Sequence, residues 1–220
     1  MSVLLTADNV GKLDQFLERI KLDTYPEAPT ELHTDITGKM LVHLDAKGLL
    51  QPGTRVLDIG CGQGVALERF AQRGLEALGI TLNDSDIEAC RAKGFDVQRM
   101  DQSFLDFPDA SFDLLWCRHC LEHSIMPYFT LCEFNRVIAP GGYLYVEVPA
   151  PDTSCQHQLN PNHYSVFGKT MWASLMNRAG FVLQEAVDVS FTVGAGPDTY
   201  WSFILQKANP GAAALQPAQQ

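Results

Sequence analysis

The stretch Val56-Leu-Asp-Ile-Gly-Cys-Gly-Gln-Gly64 is the strongest indication of the fold class. A short apolar run of β-strand character leads into three glycines at alternate positions, and a helical pattern follows over about 64–73. Glycines at such a turn let the backbone bend sharply and let a ligand approach without a Cβ in the way. The first turn of the following helix offers unpaired N–H groups to a polar ligand. The stretch therefore predicts a strand–turn–helix unit that binds a small ligand.

Strand-like and helix-like segments alternate along the chain on both sides of this stretch. Such alternation predicts a doubly wound, mostly parallel, Rossmann-like α/β sheet of seven strands. The last two strands, Phe181–Ser190 and Tyr200–Lys207, have no helix between them. They are predicted to pair antiparallel through a turn at Gly194–Pro197, and a further turn is predicted at Pro140–Gly142.

The chain divides into three parts by pattern. Residues 1–50 are predicted to form an N-terminal helical lid, and residues 51–208 the ligand-binding domain. Residues 209–220 are rich in Ala, Pro and Gln, which predicts a disordered tail.

Composition and charge limit the partners. The 220 residues carry a formal charge of −10 with no run of Lys or Arg, which argues against binding to nucleic acid phosphates and favours a small-molecule substrate. No apolar run reaches the ~18 residues of a membrane span, and no secretory signal pattern opens the chain, so we expect a cytoplasmic protein with reduced cysteines. The sequence leaves the oligomeric state open.

Several motifs, taken in order, resemble those of one enzyme family. Val56–Gly64 resembles the first motif of class I S-adenosylmethionine-dependent methyltransferases, and later blocks are similar in order and spacing: Gly79–Asn83, Asp101–Gln102, Phe107–Asp113, Leu121–His123, Arg136–Gly142, His163–Phe167 and Ala179–Phe181. The resemblance spans about residues 54–207. It implies an enzyme that uses S-adenosylmethionine to methylate a small molecule.

The resemblance also implies where the cofactor binds, because ligands of open α/β sheets lie outside the carboxyl ends of the strands. The implied contacts follow strands one to four in turn: Asp58, Gly60, Cys61, Gly62 and Gly64; then Thr81, Leu82 and Asn83; then Asp101 and Gln102; then Cys117.

Thr81 departs from the family pattern. The family usually places an acid there, which accepts hydrogen bonds from both ribose hydroxyls. Thr81 and Asn83 together, or Asp84, are the candidates for that contact here. Cyclopropane fatty acid synthases, which also use S-adenosylmethionine, are similar in carrying Thr at this point.

Two sets of residues are candidates for contact with the methyl acceptor. His119 and His163 are candidate proton acceptors, because an ordinary imidazole is half neutral near pH 6.5. The candidate substrate-binding residues are Tyr25, His33, Arg118, His157 and Tyr164. Two of these lie in the long irregular segment 150–167, and long loops in compact domains tend to be functional.

No metal site is expected from the sequence. The pair Cys117-x-x-Cys120, with His119 and His123 nearby, lacks the second cysteine pair of an ordinary structural zinc site. Cys155, His157 and His163 form only a loose cluster after strand five.

Two other functions compete with methylation of a small molecule. One is a lipid enzyme that methylates carbon or forms cyclopropanes, suggested by Thr81. The other is a non-catalytic partner protein that keeps the cofactor pocket. A dehydrogenase is disfavoured because the glycines are spaced GxGxG rather than GxGxxG.

Overall fold

A single sheet organises the molecule. The structure is a computed structural model that describes residues 6–21, 26 and 28–208. The sheet has seven strands in the order β3-β2-β1-β4-β5-β7-β6. Their bounds are β1 (Arg55–Ile59), β2 (Glu76–Thr81), β3 (Val97–Arg99), β4 (Phe112–Arg118), β5 (Ile138–Pro149), β6 (Phe181–Val193) and β7 (Gly196–Lys207).

Strands β1 to β5 run parallel, and β7 pairs antiparallel with both β5 and β6. The predicted fold class, a doubly wound and mostly parallel sheet with a C-terminal antiparallel pair, is confirmed. The strand order reverses between β1 and β4, which creates the switch point where ligands of such sheets bind.

Two predicted turns are placed differently in the structure. Pro140–Gly142 lies inside β5, beside a shift in register against β4. A Cβ on Gly142 would lie 2.8 Å from the Asp113 carbonyl oxygen, so this glycine serves close strand packing and not a turn. The final hairpin turns at residues 194–195, because β7 begins at Gly196 and pairs there with Val193.

Six helices accompany the sheet in the described residues: α1 (Ala7–Lys21), α2 (Glu31–Ala46), α3 (Val65–Ala71), α4 (Asp84–Ala92), α5 (Pro127–Val137) and α6 (Lys169–Arg178). Side chains alternate across the strands, so β1 sends Val56 to one face and Leu57 to the other. On the first face, buried residues of α2 and α3 pack with Trp116 and Tyr145. On the second, buried residues of α5 and α6 pack with Leu115 and Val146.

The predicted N-terminal lid contains two unlike helices. Helix α1 has no buried residue, whereas α2 buries five, including Leu41 and Leu44, against the sheet. The division into lid, domain and tail stays a prediction. Residues 209–220 and Tyr25 lie outside the described residues.

The sheet brings distant segments to one edge. The carboxyl ends of β1, β2, β4 and β5 meet there because these strands are parallel. Strand β7 runs the other way, so its amino end arrives at the same edge, where Tyr200 pairs with Pro149. In the part of the chain that the structure describes, no helix has the length and apolar character to cross a membrane.

Candidate functional site

The three glycines of the turn between β1 and α3 adopt the positive φ angles that glycine allows. Gly60, Gly62 and Gly64 have φ angles of +68°, +48° and +84°. A Cβ on Gly60 would lie 2.7 Å from Cys120 Sγ, so the loop after β4 is packed directly on the turn. Gly64 precedes α3 and approaches Cys90 and Phe95, and it lines neither cavity described below. Gly64 therefore allows the turn to pack closely against Cys90 and Phe95.

Two cavities open beside this turn at the carboxyl edge of the sheet. The larger has a volume of about 170 Å³ and the smaller about 80 Å³. Gly60, Gly62 and His119 line both. Together the cavities form an elongated site around the glycine turn, in the place the sequence predicts.

The smaller cavity is lined by two ionisable groups with buried polar atoms, the Asp58 carboxyl group and the Arg118 guanidinium. Asp58 is 3% exposed, and its Oδ2 has no hydrogen-bond partner among the described residues. Burial, together with Cys90, raises the pKa of Asp58 to about 8. Arg118 forms an ion pair with Glu147, but its Nη2 lacks a hydrogen-bond partner in the described part of the chain. A buried polar atom without a partner is costly, so both groups are suited to a ligand that carries a cationic donor and an anionic acceptor.

Five of the predicted cofactor residues line the larger cavity: Thr81, Leu82, Asn83, Asp101 and Gln102. Several of these polar groups also hold local structure. Asn83 caps α4 through its side-chain oxygen, and Asp101 Oδ1 accepts a hydrogen bond from the Ser103 amide at 2.7 Å. Gln102 Nε2 donates to the Cys120 carbonyl at 2.8 Å, which leaves Oε1 buried and without a partner in the described residues.

A carboxylate at the start of α4 enters the larger cavity, but it is not the predicted one. Asp84 is exposed and pairs with Arg99. Asp86, two residues further on, is 3% exposed and lines the cavity. The first turn of a helix advances about 100° per residue, so a shift of two positions moves the side chain to the other side of the helix.

The two predicted cysteine contacts differ in position. Cys61 lines the smaller cavity. The Cys117 side chain is fully buried in the core between the sheet and α5, and it lines neither cavity. It sits on β4 at a position that faces the core, which is why its side chain does not reach the site.

Aromatic and imidazole rings gather above the smaller cavity. The His119 and Tyr200 ring centroids are 4.1 Å apart, and the His33 ring stacks on His119 at 5.6 Å. His33 Nε2 lies 3.3 Å from the Tyr200 hydroxyl. Burial, followed by the neighbouring charges of His119 and Arg118, lowers the pKa of His33 to about 4, so this ring is neutral at physiological pH.

Two buried carboxylates flank His119. Its Nε2 lies 3.1 Å from Glu147 Oε1, and its Nδ1 lies 3.5 Å from Glu122 Oε1. Burial alone would lower the pKa of His119, but these two carboxylates outweigh burial and raise it. Two carboxylates at these distances favour the protonated, cationic form of the ring. The geometry disfavours His119 as a proton acceptor.

Glu147 lies near the carboxyl end of β5 and connects this network. It is fully buried, and its Oε2 accepts hydrogen bonds from Tyr145 Oη at 2.7 Å and Ser202 Oγ at 2.9 Å. Burial would raise the pKa of Glu147, but His119 and Arg118 lower it to about 2. The carboxylate is therefore ionised and fixes both cations.

The two histidines of the long loop have different further partners, although their rings stack with centroids 6.0 Å apart. His157 Nε2 lies 2.9 Å and 3.1 Å from the two carboxylate oxygens of Asp198. His163 makes an edge contact with His123, with ring centroids 4.9 Å apart. Tyr164 lines the larger cavity, whereas His157 and His163 do not.

Sequence reasoning missed Glu147, Tyr200 and Asp86. Glu147 is a lone carboxylate in the apolar run Tyr143–Pro149, the same signal that singled out Asp58 on β1. Tyr200 could not be placed without the register of β7. Asp86 is one of three polar residues in a row at the start of a helix, so the sequence did not distinguish it from Asp84.

Comparison with known proteins finds a family match in the first part of the sheet. Residues 57–146 match the family described as "Methyltransferase domain". This stretch is therefore part of a methyltransferase domain, in agreement with the S-adenosylmethionine-dependent enzymes that the ordered motifs resemble.

Curated relatives of this methyltransferase domain act on small molecules by name. The 27-O-demethylrifamycin SV methyltransferase of Amycolatopsis mediterranei is 29% identical over 76% of this chain and 65% of its own length. The ubiquinone biosynthesis O-methyltransferase of Hahella chejuensis is 33% identical over 50% of this chain and 49% of its own. The chain thus spans less than two thirds of either relative.

A solved methyltransferase shares the fold. The S-adenosylmethionine-dependent methyltransferase of Methanosarcina mazei superposes with a TM-score of 0.65, covering 75% of this chain and 97% of its own, at 19% identity. That likeness shows the fold alone.

The residues of the methyltransferase domain fit S-adenosylmethionine, the cofactor that the family and the fold imply. The smaller cavity offers Asp58 to an α-ammonium group and Arg118 to an α-carboxylate, and both have buried polar atoms without partners in the described residues. The larger cavity offers Gln102 and Asp86 at the side where the nucleoside would lie. The glycines between the cavities leave room for the sulfonium.

Proposed function

We propose that this chain catalyses methyl transfer from S-adenosylmethionine to a small-molecule acceptor. The observation that carries the proposal is the pair of buried, partnerless polar atoms, Asp58 Oδ2 and Arg118 Nη2, on one cavity beside the glycine turn. An amino-acid headgroup would satisfy both atoms. The relatives that methylate hydroxyl groups by name favour an oxygen acceptor.

In this proposal the residues of the chain bind and orient the cofactor and the acceptor, and they do not have to activate the methyl group. S-adenosylmethionine supplies a methyl group that is already electrophilic, so the protein has to position it and exclude water. Asp58 and Arg118 would hold the headgroup, and Asp86 is proposed to supply the carboxylate that accepts hydrogen bonds from the ribose hydroxyls, because Thr81 has none.

The acceptor is proposed to lie at the ring cluster of His33, His119 and Tyr200. Glu147 and Glu122 favour a positive charge on His119, which would attract an acceptor oxygen towards the methyl group. A net charge of −10 favours a neutral or cationic acceptor. Cytoplasmic location and the exclusion of nucleic acid remain predictions from the sequence.

The test is transfer of radiolabelled methyl to candidate acceptors by the full chain. A panel of phenols and hydroxylated polyketides, with phospholipid vesicles as a separate arm, distinguishes a small-molecule enzyme from a lipid enzyme. Label in a small molecule, lost in Asp58→Asn, supports the proposal. Label in the lipid alone, or cofactor binding without transfer to any acceptor, would contradict it.

A further inference from the structure

A cluster of three side chains lies next to the cofactor cavity and is not used by the function above. Glu122 and His123 belong to the single 3-10 turn after β4, and His163 comes from the long loop after β5. One ligand atom from each lies within 4.8 Å of the other two. No local sequence pattern joins them, because the two segments are far apart in the chain.

The polar groups of this cluster are left unsatisfied by the protein. Glu122 is 1% exposed, and neither carboxylate oxygen has a hydrogen-bond donor among the described residues. Its nearest cation is His119, with Nδ1 at 3.5 Å from Oε1. His163 Nδ1 is also buried without a hydrogen-bond partner in the described part of the chain. Buried polar atoms of this kind call for a ligand, because each costs free energy when left alone.

The tautomer of His123 is fixed in the form that binds metal. His123 Nδ1 lies 2.8 Å from the backbone carbonyl oxygen of Asn162. A carbonyl oxygen only accepts, so Nδ1 carries the proton and Nε2 keeps its lone pair. Metal-binding histidines almost always hold their second nitrogen in this way.

We propose that Glu122, His123 and His163 bind a divalent transition-metal ion beside the larger cavity. Two imidazoles and one carboxylate form a known three-ligand set for zinc and iron, with positions left open for another ligand. An ion with bonds of about 2.1 Å holds its ligand atoms no more than about 4.2 Å apart, so small side-chain rotations would close the site. His123 lines the cavity, so the open positions face it.

The role of the ion rests on the proposed methyl transfer. An acceptor oxygen bound at an open position would be held near His119, which contacts both Glu122 of this cluster and the proposed acceptor position at His33 and Tyr200. The proposal thus narrows the acceptor to molecules with an oxygen that can bind a metal ion, such as a catechol or a hydroxyketone.

A second cluster, formed by Cys155, His157 and Asp198, is the competing metal site. Its groups already satisfy one another, because His157 Nε2 contacts both Asp198 oxygens and the Thr199 amide donates to Oδ1 at 2.8 Å. It therefore serves as the control in the experiment.

The test measures metal binding without turnover. The full chain is stripped with a chelator and titrated with Co²⁺, which is followed by its visible absorption and by calorimetry. Four proteins are compared: wild type, His163→Gln, Glu122→Gln and Cys155→Ala. Thermal melting checks that each is folded, and binding of S-adenosylhomocysteine is measured in parallel.

We expect one Co²⁺ per wild-type chain, an unchanged site in Cys155→Ala, and affinity reduced by more than about tenfold in His163→Gln and Glu122→Gln. Absence of Co²⁺ binding, or binding lost only in Cys155→Ala, would overturn the proposal. If the nucleoside binds but Co²⁺ does not, the metal site fails while the proposed function stands. If Co²⁺ binds but the nucleoside does not, the metal site stands and the proposed function fails.

Discussion

Asp58 is the residue on which the cofactor chemistry depends most. In the ligand-free protein, the buried carboxyl group keeps a proton that the unfolded chain has lost above about pH 4. A folded-state pKa raised to about 8 therefore lowers the stability of the ligand-free protein progressively as the pH rises from about 4 to about 8. Binding of a cationic headgroup favours the ionised form and must release that proton.

We predict that the affinity for S-adenosylmethionine falls as the pH decreases from about 8 to about 6, by up to about tenfold per pH unit. Asp58→Asn has no proton to release, so it should bind weakly with a flatter pH profile. Calorimetry at several pH values compares the two proteins. Parallel profiles for wild type and variant would show that Asp58 does not titrate on binding.

Asp86 and Asp84 provide a matched pair at the start of α4. Asp86 is buried and lines the larger cavity, whereas Asp84 is exposed and pairs with Arg99. Asp86→Asn should weaken S-adenosylhomocysteine binding about tenfold, since a hydrogen bond to a charged group contributes ~1.5 kcal/mol or more. Asp84→Asn should bind like the wild type. Equal effects of both changes would assign the ribose contact to another residue.

At the scale of elements, the turn between β1 and α3 is tested by two glycines. Gly60 and Gly94 both have positive φ, but only Gly60 lies close to another group, at Cys120. Gly94→Ala should lose only the backbone preference, about 1–2 kcal/mol of unfolding free energy, and keep cofactor affinity. Gly60→Ala should lose more stability and bind the cofactor poorly. Urea unfolding and calorimetry measure both quantities, and identical behaviour of the two variants would contradict the account.

Helix α1 is predicted to matter for binding rather than for folding. It has no buried residue, yet Ile20 and Lys21 line the larger cavity. Removal of residues 1–21 should change the melting temperature by less than about 4 °C, while cofactor affinity falls about tenfold. A truncated chain with wild-type affinity would remove α1 from the site.

The sequence predicted the elements whose patterns are local and missed those that depend on a neighbour. The glycine turn of 60–64 and the helices have local signals. Gly141 and Gly142 were interpreted as a turn, because the close approach of Asp113 that explains a glycine within a strand is a tertiary contact.

At the scale of the whole molecule, the sequence predicted the residues that line the two cavities better than those of the ring cluster. The residues that line the cavities follow strands one after another, so an ordered motif series locates them. The ring cluster joins His33 of α2, His119 after β4 and Tyr200 of β7. Their meeting depends on the sheet order and on the antiparallel register of β7, which no local pattern specifies.

The central claim is that the two cavities around the glycine turn bind one molecule of S-adenosylmethionine. The most direct measurement is a crystal structure of the full chain with S-adenosylhomocysteine. We predict that the nucleoside lies in the larger cavity beside Gln102 and Asp86, and that the amino-acid end lies between Asp58 and Arg118. A nucleoside bound elsewhere, or side chains that keep both cavities closed to it, would contradict the claim.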